Sequence, residues 1–135
     1  MNRREAREKV FELLYETEFH TDSDVCEVYS VSCENRELEE NKYIKTAYFG
    51  VCDKKEELDS LITAHAVGWK PERIQKVSKT ILRLALYEML YMDDIPENVS
   101  INEALELAKK FDDDNAKPFI NGVLNAVLKS SKKDE

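Results

Sequence analysis

The sequence predicts an all-α fold, and three observations support that prediction. The 135 residues include only three glycines and three prolines, which leaves few of the turns that β-hairpins require. Apolar residues recur at helical spacing along most of the chain. The stretch 78–92, SKTILRLALYEMLYM, is apolar on most sides of a helix, which is typical of a helix enclosed by others. We therefore expect a compact globule of about six to seven helices, with this stretch at its centre.

Length and charge limit the class of protein. A chain of 135 residues is long enough to bury one core, so we expect a single domain over residues 1–135. The net charge of −8 argues against a protein that coats nucleic acid or an anionic membrane nonspecifically, although a local basic patch is compatible with it. The N-terminal residues form no apolar signal region, and the central helix is too short to span a bilayer, which predicts a cytoplasmic protein without a membrane partner.

Motifs for catalysis, metal binding and cofactor binding do not occur in the sequence. Cys26, Cys33 and Cys52 are odd in number and lack CxxC spacing, which favours free buried thiols over a zinc site or a disulfide framework. His20 and His65 have no spacing that links them as ligands. No glycine-rich phosphate loop, HExxH or GxSxG motif is present. We therefore predict no enzymatic activity, no metal and no cofactor.

The first predicted helix covers residues 3–20, where the apolar residues follow a 3.6-residue period. Arg3, Arg4 and Arg7 crowd its first turns. Cations at a helix N-terminus oppose the helix dipole, so one interpretation is a solvated and frayed terminus. The other is an anion site for a phosphate backbone, because clustered arginines bind phosphates bidentately.

The middle of the chain alternates between weak and strong helical patterns. Residues 21–35 lose the periodicity, and we expect a loop there with at most one turn of helix. Residues 36–66 carry a long helical pattern, in which Gly50 costs about 1 kcal/mol relative to Ala and indicates a close helix crossing. Pro71 then opens a short helical turn, and Trp69 is expected to cap the core at that corner.

Glu88 is the exceptional residue of the central helix. Its spacing places a carboxylate in the apolar row that contains Ile81 and Met92. Such a carboxylate needs a partner, a position at the edge of the row, or something that binds it. The polar side of this helix is expected to be a narrow stripe formed by Thr80, Arg83, Tyr87 and Tyr91.

The next helix is predicted to start at Ser100. Ser100 and Glu103 have the spacing of a capping box, with Val99 placed for the hydrophobic staple. The apolar pattern runs to about Phe111. Glu103 and Glu106 are therefore better explained by capping and solvation than by acid–base chemistry.

The last helix follows the acidic loop 112–115. Three acids before a helix complement its dipole, and Pro118 falls in the first turn, where a missing N–H is harmless. The tail 130–135 is too polar to fold alone and is expected to be disordered. The buried face of this helix is expected to consist of Phe119, Gly122, Val123, Ala126 and Val127.

Three segments at fixed offsets resemble the bacterial transcription antitermination factor NusB family. They are ILRLALYEML over 81–90, IPENVSINEALELAKKF over 95–111 and FINGVLNAV over 119–127. The opening RREAREKVFELLY over 3–15 also suits the family, and the resemblance covers nearly the whole chain except residues 21–35 and the tail. It implies an all-α fold of two packed helical subdomains, no catalytic activity, and binding to the boxA element of ribosomal RNA leader transcripts.

The resemblance also implies partners and site residues. The family acts as a heterodimer with a small-subunit ribosomal protein that serves as elongation factor NusE, and it reaches the RNA polymerase elongation complex indirectly. Arg3, Arg4 and Arg7 match the arginine-rich start that contacts RNA in the family. The chain departs from this pattern at Glu5, where some relatives carry a further arginine.

The face that receives the ribosomal protein is implied by the same resemblance. Glu88 matches the acidic residue of that face, where a basic partner would pair with its carboxylate. Tyr15 and Phe119 lie at positions similar to those that border the face. Asn125 stands where relatives commonly carry Asp, which makes this surface less acidic by one charge. Self-association as a homodimer through this face stays open.

Two other functions remain as alternatives. The first is a protein–protein scaffold that has lost RNA binding, which Glu5 and the charge of −8 make conceivable. The second is the RNA-binding domain of a ribosomal RNA cytosine methyltransferase, whose N-terminal part has a similar helical domain. A catalytic domain would then have to follow residue 135.

Overall fold

The computed structural model describes residues 1–133, and over this range it confirms the all-α prediction. No strand occurs in that range, and a single 3₁₀ turn at Pro71–Arg73 precedes the fifth helix. The described helices are α1 Arg3–Thr17, α2 Val25–Asn35, α3 Lys42–Asp53, α4 Lys55–His65, α5 Lys76–Tyr91, α6 Glu97–Phe111 and α7 Ala116–Lys133.

Helix α5 lies at the centre, as the sequence predicts. It contacts α1, α3, α4, α6 and α7, and the side chains of Ile81, Leu82, Leu84 and Leu86 are fully buried. Helix α1 packs on α2 and α3, whereas α7 packs on α4 and α6. The helices thus form two packed groups that share α5.

Gly50 marks the point where α3 crosses α5. A Cβ atom at this position would overlap the phenol ring of Tyr87 on α5. The missing side chain therefore allows the two helices to approach closely, which confirms the close crossing predicted from a glycine in the middle of a helix.

The expectation of a loop over 21–35 was wrong for most of that stretch. Helix α2 starts after Asp24, whose Oδ1 accepts a hydrogen bond from the Cys26 amide at 2.9 Å. Val28 is buried, and the Tyr29 ring packs against Tyr48 of α3 at 5.1 Å. Asp24, a polar residue in the stretch without periodicity, is thus a helix cap. Contacts with other helices stabilise α2.

The predicted long helix over 36–66 is two helices. Asn41 caps α3 by accepting a hydrogen bond from the Ile44 amide at 3.0 Å, and α3 ends at Asp53. Lys54 then leaves helical geometry, with φ −100° and ψ 14°, before α4 begins. Such a break between two helical segments leaves no gap in an apolar pattern, so the periodicity alone could not show it.

Two expectations about the second half of the chain were also wrong. Helix α6 starts at Glu97, so Ser100 lies inside it and is no capping residue, and Val99 is exposed and forms no staple. Trp69 is 54% exposed and does not cap the core. The polar stripe of α5 is partly enclosed, and there Arg83 meets the carboxylates of Asp59 and Glu18.

Helix α7 differs in detail from the predicted face. Val123 and Val127 are buried as expected, but Gly122 is exposed, and Ile120 and Leu124 are fully buried instead. Pro118 does lie in the first turn. The predicted tail covers 130–135; α7 includes the backbone up to Lys133, and residues 134–135 lie outside the described residues.

The cysteines are free, although they are less buried than expected. Cys26 is exposed, and Cys33 and Cys52 are half-buried. Among residues 1–133, no group of three His, Cys, Asp or Glu side chains has the geometry to hold a metal ion. None of the helices described is both long enough and apolar enough to cross a membrane.

Candidate nucleic-acid interface

The three arginines at the start of α1 occupy three different environments. Asn2 caps the helix by accepting a hydrogen bond from the Glu5 amide at 2.8 Å. Arg3 and Arg4 are exposed, whereas Arg7 is buried. The sequence predicts one cluster of equivalent cations, but the structure separates two surface arginines from a structural one.

Arg7 forms a buried bidentate ion pair with Glu88 of α5. Its Nε and Nη2 atoms donate to the two carboxylate oxygens at 2.7 and 3.1 Å. The Tyr43 hydroxyl of α3 donates to the same carboxylate, and the Ser100 Oγ of α6 donates to it at 2.9 Å. One carboxylate therefore joins four helices through charge-assisted hydrogen bonds.

The electrostatics of this network hold it in one charge state. Burial disfavours the charge on Arg7, but the hydrogen bond and the negative charge of Glu88 outweigh burial and raise the pKa of the guanidinium. Burial, together with the Glu88 charge, raises the pKa of the Tyr43 hydroxyl well above its ordinary value. At neutral pH the Arg7 guanidinium is therefore charged and the Tyr43 phenol is neutral.

Arg7 and Glu88, which the sequence assigns to two different ligands, pair with each other. The sequence places Arg7 against RNA and Glu88 against a basic protein partner. In the structure each satisfies the other, and the exposed fractions are only 5% for Arg7 and 1% for Glu88. The partner that the Glu88 carboxylate requires in its apolar row is therefore Arg7 of the same chain.

Arg4 lies on the surface but is paired. Its Nε and Nη2 atoms each donate to Glu103 of α6 at 3.0 Å. The hydrogen bond and the charge of Glu103 raise the pKa of Arg4, which is a surface residue. Lys110 and Glu8 form a second α6–α1 pair at 2.7 Å. Both pairs border a cavity of about 360 Å³ between α1 and α6.

Arg3 is held by an aromatic ring. Its guanidinium carbon lies 4.4 Å from the centroid of the Tyr43 ring, and among the described residues it forms no ion pair. It borders a second cavity of about 460 Å³, the Tyr91 cavity, between the starts of α1 and α3 and the end of α5. This cavity is lined by Arg3, Lys42, Tyr43, Thr46, Tyr91, Met92, Asp93 and Asp94.

The three other residues predicted for the protein partner make contacts that do not involve Glu88. Tyr15 is half-buried and packs edge-on against Phe19, with ring centroids 5.1 Å apart. Phe119 packs against Trp69 at 4.8 Å. Asn125 donates from its side chain to Asn121 in the same helix at 2.9 Å. None of them hydrogen-bonds to Glu88, whose acceptors are used by Arg7, Tyr43 and Ser100.

The sequence did not reveal that a second arginine, Arg83, is buried and paired. Arg83 of α5 donates to both carboxylate oxygens of Asp59 on α4, at 2.6 and 3.0 Å, and it also pairs with Glu18 at the end of α1. The signal was present, because an arginine in so apolar a helix requires carboxylates from neighbouring elements. Their positions could not be known before the helices were placed.

Tyr43 and Ser100 were also missed as partners of Glu88. Ser100 carried a competing explanation as a helix cap, and Tyr43 was assigned only to a helical face. Both are buried, at 6% and 1% exposure, and each places a hydroxyl at the carboxylate. A buried carboxylate needs several donors, which was the signal for finding them.

Comparison with known proteins shows which family the chain resembles. The model of the NusB family matches residues 4–129. The transcription antitermination protein NusB of Clostridium perfringens (strain SM101 / Type A) is 43% identical over 136 residues, covering 98% of this chain and 100% of the relative.

Solved structures agree with this match. A structure of T. maritima NusB superimposes with a TM-score of 0.81 at 32% identity, covering 96% of this chain and 92% of that chain. A crystal structure of the antitermination factors NusB and NusE in complex with dsRNA superimposes with a TM-score of 0.83 at 26% identity, covering 95% and 96%. Fold, family model and sequence identity agree over nearly the whole chain, and the chain belongs to the NusB family.

Proposed function

We propose that this protein is a non-catalytic transcription antitermination factor of the cytoplasm. It binds the boxA element of ribosomal RNA leader transcripts together with a small-subunit ribosomal protein that acts as NusE. Through this complex it acts on the RNA polymerase elongation complex. Support comes from family membership and from the related NusB, which was crystallised with NusE and dsRNA.

The observation that carries the RNA part is the fixed position of two exposed arginines. The buried Arg7–Glu88 pair attaches the start of α1 to α5, so Arg3 and Arg4 project from a rigid helix terminus. Guanidinium groups held in place bind phosphates with a smaller loss of side-chain entropy than mobile ones. Arg7 then acts as a positioning residue for the two phosphate-binding arginines.

The charge of the chain explains why a protein partner is needed. A net charge of −8 repels phosphates over most of the surface, so the protein alone should bind RNA weakly. A basic ribosomal protein would add cations beside Arg3 and Arg4 and extend one RNA path. Binding should therefore tighten when the partner is present.

Exposed aromatic side chains support a surface for the ribosomal protein. Phe19 is 57% exposed beside Tyr15, and Trp69 is 54% exposed beside Phe119. Aromatic residues are enriched in protein interfaces, where they bury much area at a small cost in entropy. We place Tyr15, Phe119 and Asn125 on this surface, whereas Glu88 is buried in the network with Arg7.

A double variant tests the function. Arg3→Ala with Arg4→Ala is expected to weaken binding of boxA-type RNA to the protein–partner complex. It should also reduce the slope of log affinity against log salt by about 1.4, because roughly 0.7 is lost for each phosphate contact on a single strand. The measurement is fluorescence anisotropy across a salt series.

The matched control is Lys45→Ala with Lys129→Ala, which removes the same charge from exposed positions on α3 and α7. It is expected to bind like the parent. An Arg3/Arg4 variant that binds as tightly as the parent at every salt concentration would remove these arginines from the RNA site.

A scaffold without RNA binding remains the second candidate, because Arg4 is already neutralised by Glu103 and Arg7 by Glu88. A scrambled single strand in the same assay decides between the two. Discrimination of boxA from the scramble supports the antitermination factor, and a complex that binds neither RNA favours the scaffold.

A further inference from the structure

The Tyr91 cavity combines two features that RNA-binding sites use together, namely cations and a fixed aromatic ring. Arg3 and Lys42 supply positive charge from α1 and α3, and Tyr91 supplies a ring that is 41% exposed. Its volume of about 460 Å³ lies within the range of roughly 300–1,000 Å³ that is usual for small-ligand sites. Neither Lys42 nor Tyr91 has a role in the function proposed above.

Tyr91 is held rigidly although it is exposed. Its hydroxyl donates to both carboxylate oxygens of Glu57 on α4, at 2.6 and 2.7 Å. The Tyr87 ring stacks against it, with centroids 5.2 Å apart and planes inclined by 28°. Tyr87 is itself held against Gly50 at the helix crossing. Because Tyr87 covers one face, only the other face of the ring can stack with a base, and the Lys54 Nζ lies 5.5 Å from the ring centroid. A ring fixed in this way can receive a base without first losing side-chain freedom.

Arg3 is held against Tyr43, another residue that lines the cavity. Its guanidinium lies over the Tyr43 ring at 4.4 Å, and the Tyr43 hydroxyl is bonded to the buried Glu88. The orientation of Arg3 therefore depends on the same network that holds Arg7. Tyr43 is thus a positioning residue for Arg3.

The acidic residues of the cavity determine how a bound ligand is oriented within it. The cations come from α1 and α3, whereas Asp93 and Asp94 follow the end of α5 beside Tyr91. A phosphate is repelled by these carboxylates and attracted to Arg3 and Lys42. A nucleobase is neutral, and the N–H groups on its edge can donate hydrogen bonds to these carboxylates.

We propose that the Tyr91 cavity binds one nucleotide of single-stranded RNA, with its base stacked on Tyr91 and its phosphate bound by Arg3 and Lys42. This site rests on the proposed RNA-binding function and extends it from Arg3 to Lys42 and Tyr91. A basic protein segment fits less well, because Arg3 and Lys42 repel it.

Two single substitutions test the site in the full chain bound to its ribosomal partner and boxA-type RNA. Tyr91→Ala is expected to weaken RNA binding about tenfold, because one stacked base is lost. Lys42→Ala is expected to reduce the slope of log affinity against log salt by about 0.7, the value for one phosphate contact. Thermal melting of each variant checks that the fold is retained.

Matched variants distinguish the loss of a direct RNA contact from an indirect effect on the structure. Lys45→Ala removes the same charge one turn away, from an exposed side chain paired with Glu40, and should bind like the parent. Tyr91→Phe retains the ring but loses the bond to Glu57, and it should recover most of the affinity that Tyr91→Ala loses. RNA carrying 5-iodouridine at single positions should crosslink to Tyr91 on irradiation, and mass spectrometry identifies the attached residue.

The outcomes distinguish this site from the proposed function. If Arg3→Ala weakens binding while Lys42→Ala and Tyr91→Ala bind like the parent, the cavity is not an RNA site, although the protein still binds RNA. If the two variants weaken binding of the ribosomal protein in the absence of RNA, the cavity belongs to the protein partner and the proposal is overturned. If the parent complex binds no RNA at all, both the function and the site are wrong.

Discussion

Arg7 of α1 and Glu88 of α5 are 81 positions apart in the chain, yet their side chains form a buried ion pair with an Nε–Oε2 distance of 2.7 Å. This pair brings together the segment that sequence analysis assigns to RNA and the residue that it assigns to the protein partner. In the folded chain the two residues form one structural unit, on which the exposed arginines depend.

The first prediction concerns the loss of this pair. Glu88→Gln preserves size but removes the bidentate anion of the buried Arg7, which then retains only Glu103 at 3.9 Å. The free energy of unfolding should fall by about 3–5 kcal/mol. Urea unfolding followed by circular dichroism gives the value. Glu106→Gln, on an exposed side chain of α6, is the control and should change stability by less than about 0.5 kcal/mol. A Glu88→Gln variant as stable as this control would contradict the role of the pair.

The second prediction concerns Ser100. Its hydroxyl donates to the buried Glu88 carboxylate at 2.9 Å, so Ser100→Ala should cost about 1.5–3 kcal/mol, as expected for a hydrogen bond to a charged group. Ser60→Ala removes an exposed hydroxyl from α4 and should be nearly neutral. Chemical denaturation of both variants measures the difference. Equal stability of the two would mean that the Ser100 bond contributes nothing.

The third prediction compares two glycines in helices. Gly50→Ala should destabilise the protein, because its Cβ would overlap the Tyr87 ring at the crossing of α3 and α5. Gly122→Ala should raise stability, by up to about 1 kcal/mol, because an added Cβ would meet no atom within 4 Å beyond its own stretch of helix backbone, and alanine favours the helix. Melting temperatures of the two variants should therefore move in opposite directions. A shift of both in the same direction would argue against the close crossing.

The fourth prediction concerns alkaline pH. Burial raises the pKa of the Cys52 thiol from its ordinary value of 9.0 to about 11. Because the folded state holds this proton more tightly than the unfolded state, its contribution is complete below pH 9 and is lost as pH rises towards 11. Urea unfolding between pH 8 and 11 should show falling stability, with a weaker fall in Cys52→Ala than in Cys26→Ala, whose thiol is exposed. An identical pH dependence in both variants would exclude the Cys52 contribution.

The sequence by itself determined the helical class, the central position of α5 and the glycine at a close crossing. Each of these depends on local information: the spacing of apolar residues, the scarcity of turn residues, and the conformational cost of a glycine within a helix. The family resemblance likewise depends on residues at fixed spacing, and it indicated the correct family before any contact was known.

Only the tertiary structure decided which charged residues are available to a ligand. Arg3, Arg4 and Arg7 look alike on a helical wheel, but Glu88 and Tyr43 come from helices whose placement no local pattern specifies. Ser100 matched a local capping signal, yet the long-range bond to Glu88 and the earlier start of α6 gave it another role. The physical reason is that burial of a charge depends on distant partners, and sequence spacing contains no information about them until the chain has folded.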